Sequence, residues 1–195
     1  MQNKFHFIYS VLLLTMLYSY SNIVEAQRQI PRSALNDSMP PLQPHKILKT
    51  KLGTEIPVYS FEAFENNTLK LNEPSVTYVI NFWASWCGPC VAELPYFFEL
   101  EQQYSSKNVK FIYVSLDFIK NLEKKLLPFV ETRKIKNKVI VLDQKNVNSW
   151  MGKIDTNWSG AIPATLIYNT EKRIFLEQNF ESAEDLKKVL KEFIQ

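Results

Sequence analysis

Phe82 to Leu100 reads FWASWCGPCVAELPYFFEL and holds Cys87 and Cys90, the only two cysteines of the 195-residue chain. The apolar run Val76 to Trp83 leads into it, with the length and the β-branched and aromatic content of a buried strand. From Gly88 onward the residues read as a helix to about Tyr104. This places Cys87 at a helix N-terminus and Cys90 one turn further on. There the unpaired first-turn amides and the positive end of the helix dipole favour thiolate over thiol, which makes Cys87 the candidate nucleophile. Pro89 suits a first turn, where a missing N–H leaves nothing unpaired, and Gly88 allows a tight entry. This spacing fits an attack by Cys87 on a disulfide, followed by release of the mixed disulfide by Cys90.

Two other uses of the pair are open to the residues alone. A structural disulfide closing so short a loop would contribute only about 2 kcal/mol. A zinc site needs four ligands as a rule, against the two cysteines and two histidines present. One of those histidines, His6, lies in the N-terminal segment, so no metal site is expected. A net charge of +3 with mixed signs gives no basic stripe, and nucleic acid is not an expected partner. His45, in a proline-rich stretch, is read as a solvated side chain, which argues against Ser-His or Cys-His catalysis.

With Asn81 ahead of Phe82-Trp83, and with the extension Cys87, Cys90, Glu93, Pro95 in the pattern C-x-x-C-x-x-E-x-P, the chain resembles the TlpA/ResA-like thiol-disulfide oxidoreductases of the thioredoxin superfamily. The resemblance runs from about Gly53 to the C-terminus. It implies a thioredoxin-like α/β three-layer sandwich: a mixed central sheet with helices on both faces, an N-terminal β-hairpin and a β-α insertion. It also implies a redox-active disulfide between Cys87 and Cys90 with no further cofactor.

Glu93, three residues after Cys90, shares its helical face, and a partly buried carboxylate there can exchange a proton with Cys90. Resembling proteins implicate a glutamate at this place; a surface ion pair is the alternative. Thioredoxin proper carries a buried aspartate where this chain has Asn81, which favours Glu93 as the acid. In Ile162-Pro163-Ala164 the resemblance implies a cis-proline packed against the cysteines, with the Ile162 backbone open to an extended substrate segment. Trp86, Gly88, Pro89, Ile162 and Pro163 are the candidate substrate contacts. Pro95 is read as a tolerated bend.

Met1 to Ala26, with Lys4 before the apolar run Phe7 to Tyr20 and the small-residue pattern Val24-Glu25-Ala26, reads as a secretory signal peptide. The apolar run falls short of the roughly 20 residues of a spanning helix, although an uncleaved segment could associate transiently with a membrane. Residues 27–50, with Pro31, Pro40, Pro41 and Pro44, read as a linker or arm, and 51–195 as the domain. Within it, Pro57 to Phe61 and Thr68 to Leu71 are expected to form the hairpin, joined by Glu65-Asn66-Asn67. Further strands are expected at Val109 to Leu116, Val139 to Leu142, Thr165 to Tyr168 and Arg173 to Glu177.

Helices are expected at Asn121 to Lys134, interrupted at Pro128, at Val147 to Met151, and after Ser182, where Asp185 completes a capping box. Residues 118–155 would hold the insertion, either scaffold or a partner contact. Asp117 could hold a helix cap or a loop and is assigned no chemistry.

The expected function is that of an exported, periplasmic or otherwise extracytoplasmic reductase of protein disulfides. The Gly88-Pro89 pair matches thioredoxin, at about −270 mV, more than the oxidant DsbA, at about −120 mV. Its expected partners are disulfide-containing proteins outside the cytoplasm, apocytochrome c among those the resemblance suggests, and a membrane electron donor. The alternatives are a disulfide oxidase or isomerase, a metal-binding chaperone using the same thiols, and a peroxidase, for which the motif around Cys87 is wrong.

Overall fold

A computed structural model describes residues 42–194. The segments expected as a signal peptide and, for the most part, as a proline-rich arm lie outside the described residues. The core is a seven-stranded mixed sheet in the order β1-β2-β5-β4-β3-β6-β7. Its strands are β1 Lys46–Lys49, β2 Glu55–Tyr59, β3 Thr77–Trp83, β4 Val109–Ser115, β5 Val139–Leu142, β6 Ala164–Tyr168 and β7 Arg173–Leu176. Strands β2, β5, β4 and β3 run parallel, while β1, β6 and β7 join by antiparallel pairing.

Every residue of β3 is buried because the sheet is covered on both faces. Strand alternation then sends neighbouring side chains into two separate cores. Val79 and Trp83 pack with Leu94, Phe97 and Leu100 of α2 (Gly88–Gln103) and with Leu186 and Leu190 of α5 (Ala183–Leu190). Tyr78, Ile80 and Phe82 face the opposite layer with Phe64, Trp150 and Ile154. Trp150 and Ile154 belong to α4, Val147–Ile154. The three-layer expectation holds.

The hairpin is displaced from its expected place. It pairs β1 with β2, Lys46 opposite Val58 and Lys49 opposite Glu55, so β1 falls inside the segment read as a linker. The stretch expected as its second strand, Thr68 to Leu71, forms no strand: Thr68 and Leu69 close a helical segment that begins at Phe61. In α1, Phe61–Phe64, the Ser60 hydroxyl caps the Ala63 N–H at 3.3 Å, and a wide π-type turn follows over Glu65–Leu69. Phe61 stacks on Trp150 at 5.4 Å and Phe64 packs edge-on against Phe82, so tertiary packing of two aromatic rings decides the local conformation.

The segment expected as one helix after residue 121 is built from three pieces, Ile119–Asn121, Leu122–Leu126 and α3, Leu127–Thr132. Pro128 lies in the first turn of α3, where its missing N–H is harmless. At α5 the Ser182 hydroxyl accepts from the Asp185 N–H and donates to the Asp185 carboxylate. Among the described residues no helix is long and apolar enough to cross a membrane.

Candidate active site

Strand β3 delivers the chain to the carboxyl edge of the sheet, and α2 starts there. Cys87 is the N-cap of α2, its sulfur accepting from the Cys90 N–H at 3.3 Å. The two sulfurs are joined in a disulfide. Cys90 is fully buried, whereas Cys87 keeps a small exposed fraction beside exposed Trp86, Gly88 and Pro89. The pair is therefore asymmetric: only Cys87 lies against solvent.

The peptide bond between Ile162 and Pro163 is cis. It brings the Ile162 carbonyl oxygen to 3.7 Å from the Cys87 sulfur. Ile162 lies beyond Ala164, the last residue of β6 in register with β3, so the sheet ladder stops before it. Pro163 is buried and Ile162 half-buried. The structure thus brings Trp86, Gly88, Pro89, Ile162 and Pro163 together around Cys87.

Three residues after Cys90 on α2, Glu93 is 1% exposed. One carboxylate oxygen accepts from the Asn81 side-chain amide at 2.8 Å and the other from the Phe180 backbone N–H at 2.9 Å. Burial outweighs these two bonds and pushes its pKa up to about 7. The surface ion pair is thereby excluded. Asn81, on the same face of β3 as Val79 and Trp83, also approaches the Thr165 hydroxyl at 3.5 Å, and among the described residues its own side-chain oxygen has no partner.

Two further carboxylates support the site: Asp117, read from the sequence as able to hold a cap or a loop, and Glu177, which the sequence alone did not single out. Asp117 is fully buried at the end of β4 and accepts from the Ser85 N–H at 2.9 Å, the Ser85 hydroxyl at 2.6 Å and the Ser115 hydroxyl at 2.9 Å. It ties down the turn that carries Trp86 and Cys87. The only local signal is Ser115 two residues before Asp117, a spacing at which a serine hydroxyl bonds nearby backbone.

Glu177, just past β7, accepts from the Ser159 N–H at 3.0 Å, the Ser159 hydroxyl and the Ala161 N–H at 3.2 Å. These bonds, the Ser159 hydroxyl first, hold its pKa below the usual carboxylate value. Together with the Trp158 indole donating to the Ala161 carbonyl at 2.9 Å, they shape the loop before Ile162.

His45, expected free in solvent, stands 3.8 Å from the Asp143 carboxylate, away from the cysteines. Among the described residues no group of three or more His, Cys, Asp or Glu side chains is placed to hold a metal ion. The arrangement can cycle between dithiol and disulfide, with a proton-holding group three residues along the helix from the buried Cys90.

A family model described as Redoxin matches residues 51–190. The thiol-disulfide oxidoreductase ResA of Oceanobacillus iheyensis is 40% identical over 57 residues, 29% of this chain and 30% of that protein. The chloroplastic M-type thioredoxin of Brassica napus is 42% identical over 65 residues, 33% of this chain and 34% of that protein. The matched stretch is thus about a third of either relative's length. A thioredoxin-family thiol:disulfide interchange protein from Chlorobium tepidum TLS superposes with a TM-score of 0.51 at 20% identity, covering 82% of this chain and 99% of the other. That likeness establishes the thioredoxin-like fold.

Proposed function

The chain belongs to the Redoxin family, and from that premise we propose that it is an exported thiol-disulfide oxidoreductase that reduces disulfides of extracytoplasmic proteins through Cys87 and Cys90. The observation that carries the reading is the asymmetric disulfide at the mouth of α2, with Cys87 facing solvent and the Ile162 carbonyl and Cys90 sealed beneath. The similarity to a thiol-disulfide oxidoreductase and to a thioredoxin supports the same reaction class.

In the dithiol form the Cys87 thiolate, held by first-turn amides, attacks one sulfur of a substrate disulfide. A mixed disulfide forms, and the other substrate sulfur leaves as a thiolate and takes up a proton. Cys90 then gives its proton to the Glu93 carboxylate and attacks the Cys87 sulfur. The protein disulfide closes, and the second substrate sulfur departs. Both electrons gained by the substrate come from the two cysteines, so the cycle needs no further cofactor, only a reductant to reopen the pair. A membrane electron donor would fill that role. A Glu93 proton affinity near neutrality suits a group that both takes and returns a proton.

The reducing direction rests on Gly88-Pro89, the pair of the reductant thioredoxin. Export rests on the signal-like residues 1–26. Turbidity of insulin with dithiothreitol tests the reaction: the protein accelerates precipitation and Cys87→Ser does not. Equal rates for the two proteins would refute the assignment. Export is tested by mass spectrometry of the secreted protein, expected to start at Gln27.

A further inference from the structure

Beside Cys87 lies an apolar pocket of about 150 Å³ that the exchange chemistry leaves unused. Its floor is made by Leu116, Trp150 and Trp158, each buried, and its rim by Trp86, Phe118 and Ile162. Trp86 is 57% and Phe118 49% exposed, and their rings stack with centroids 6.2 Å apart and planes 15° from parallel. Two large aromatic side chains left in water side by side, rimming a hollow, have the form of a recognition surface. No lining residue carries a charge. The side-chain N–H of Gln144, on its wall, is spent on the Leu116 carbonyl.

We infer that this pocket is a specificity site that seats one large apolar side chain flanking the cystine of an extended polypeptide substrate. The inference rests on the proposed attack of Cys87 on such a substrate. The occupant follows from continuity and size. Ile162 and Trp86 line the pocket and also border Cys87, so a chain lying along the Ile162 backbone with its sulfur at Cys87 passes the pocket mouth. Side chains of an extended segment alternate in direction, so a neighbour of the cystine half can point inward while the main chain stays on the loop. An apolar cavity of about 150 Å³ is large enough for benzene, which matches one Phe or Leu side chain. A carboxylate or ammonium there would lose its water and gain no partner.

Phe118, Val147 and Met151, which also line the pocket, come from the stretch 118–155. That stretch therefore supplies part of the recognition surface as well as scaffold.

The test measures kcat/KM for reduction of two disulfide-bonded peptides that differ only beside one cysteine, Phe in one and Glu in the other, each substituted at successive flanking positions. A small aromatic disulfide without a peptide is run in parallel. The Phe peptide is expected to be preferred by about tenfold or more at one position, and Phe118→Ala is expected to shrink that ratio. Equal kcat/KM at every position, or a ratio unchanged in Phe118→Ala, overturns the pocket while leaving the exchange reaction in place. If the pocket instead buries a second copy of the chain, the peptides are equal and sedimentation is concentration-dependent, which also overturns it. Failure to reduce any of the three disulfides refutes the underlying reaction and the pocket with it.

Discussion

The Glu93 carboxylate accepts a hydrogen bond from the Asn81 side chain at 2.8 Å, joining α2 to β3 at a point where both residues are sealed from solvent. Burial keeps the acid protonated up to about pH 7, against an ordinary value of 4.5. The folded state therefore binds a proton that the unfolded chain releases. This contribution is fully present below pH 4.5 and is lost as pH rises through about 7, an upper figure of about 3 kcal/mol. Denaturant unfolding at pH 5 and pH 8 should show a smaller pH-dependent loss in Glu93→Gln than in the native protein. The exchange rate of the native protein should show an inflection near pH 7 that the same variant lacks.

Asn81→Ala removes the bond that pulls the Glu93 proton affinity down. Its carboxyl should then titrate above about 7. Carboxyl-carbon NMR of selectively labelled glutamate follows this directly, and an unchanged or lower midpoint would show that the Asn81 amide does not stabilise the carboxylate.

Asp117→Ala leaves Ser85 and Ser115 donors beneath the surface without their acceptor. Losing several bonds to one buried carboxylate is expected to cost about 2 to 4 kcal/mol. Urea unfolding measures it, and a change under about 0.5 kcal/mol would mean that the Ser85 turn is held by other contacts.

Glu177 is exposed, so Glu177→Ala should alter stability by less than about 1 kcal/mol. Its effect belongs to the loop it fixes, Ser159 to Ala161, and through that loop to Ile162. KM for a protein disulfide should rise several-fold with kcat little changed, and Glu177→Gln should restore part of the loss. A fall in kcat alone would contradict a role in holding the substrate loop.

The site's spine was legible because it is local. A buried strand, a helix opening on Gly88-Pro89 and the Cys87 to Glu93 spacing all lie within one continuous stretch, so periodicity and capping rules reach them. The hairpin was misplaced for the opposite reason. In β1 only Leu48 is buried, which leaves no alternation to read. The helical fold of 61–69 depends on Trp150, far along the chain. Asp117 with Ser85, Glu177 with Ser159, and Glu93 with Phe180 join residues 32, 18 and 87 positions apart. Such pairings arise from the packing of whole layers and leave no mark on neighbouring residues. The stacking of Trp86 on Phe118 was hidden in the same way.

The division of labour between the two sulfurs is tested most directly by trapping. A disulfide-bonded peptide mixed with reduced Cys90→Ser protein should accumulate a mixed disulfide that mass spectrometry locates on Cys87, while reduced Cys87→Ser protein should trap little or none. Equal trapping by both variants, or an adduct formed on Cys90 alone, would contradict the assignment of Cys87 as the attacking sulfur.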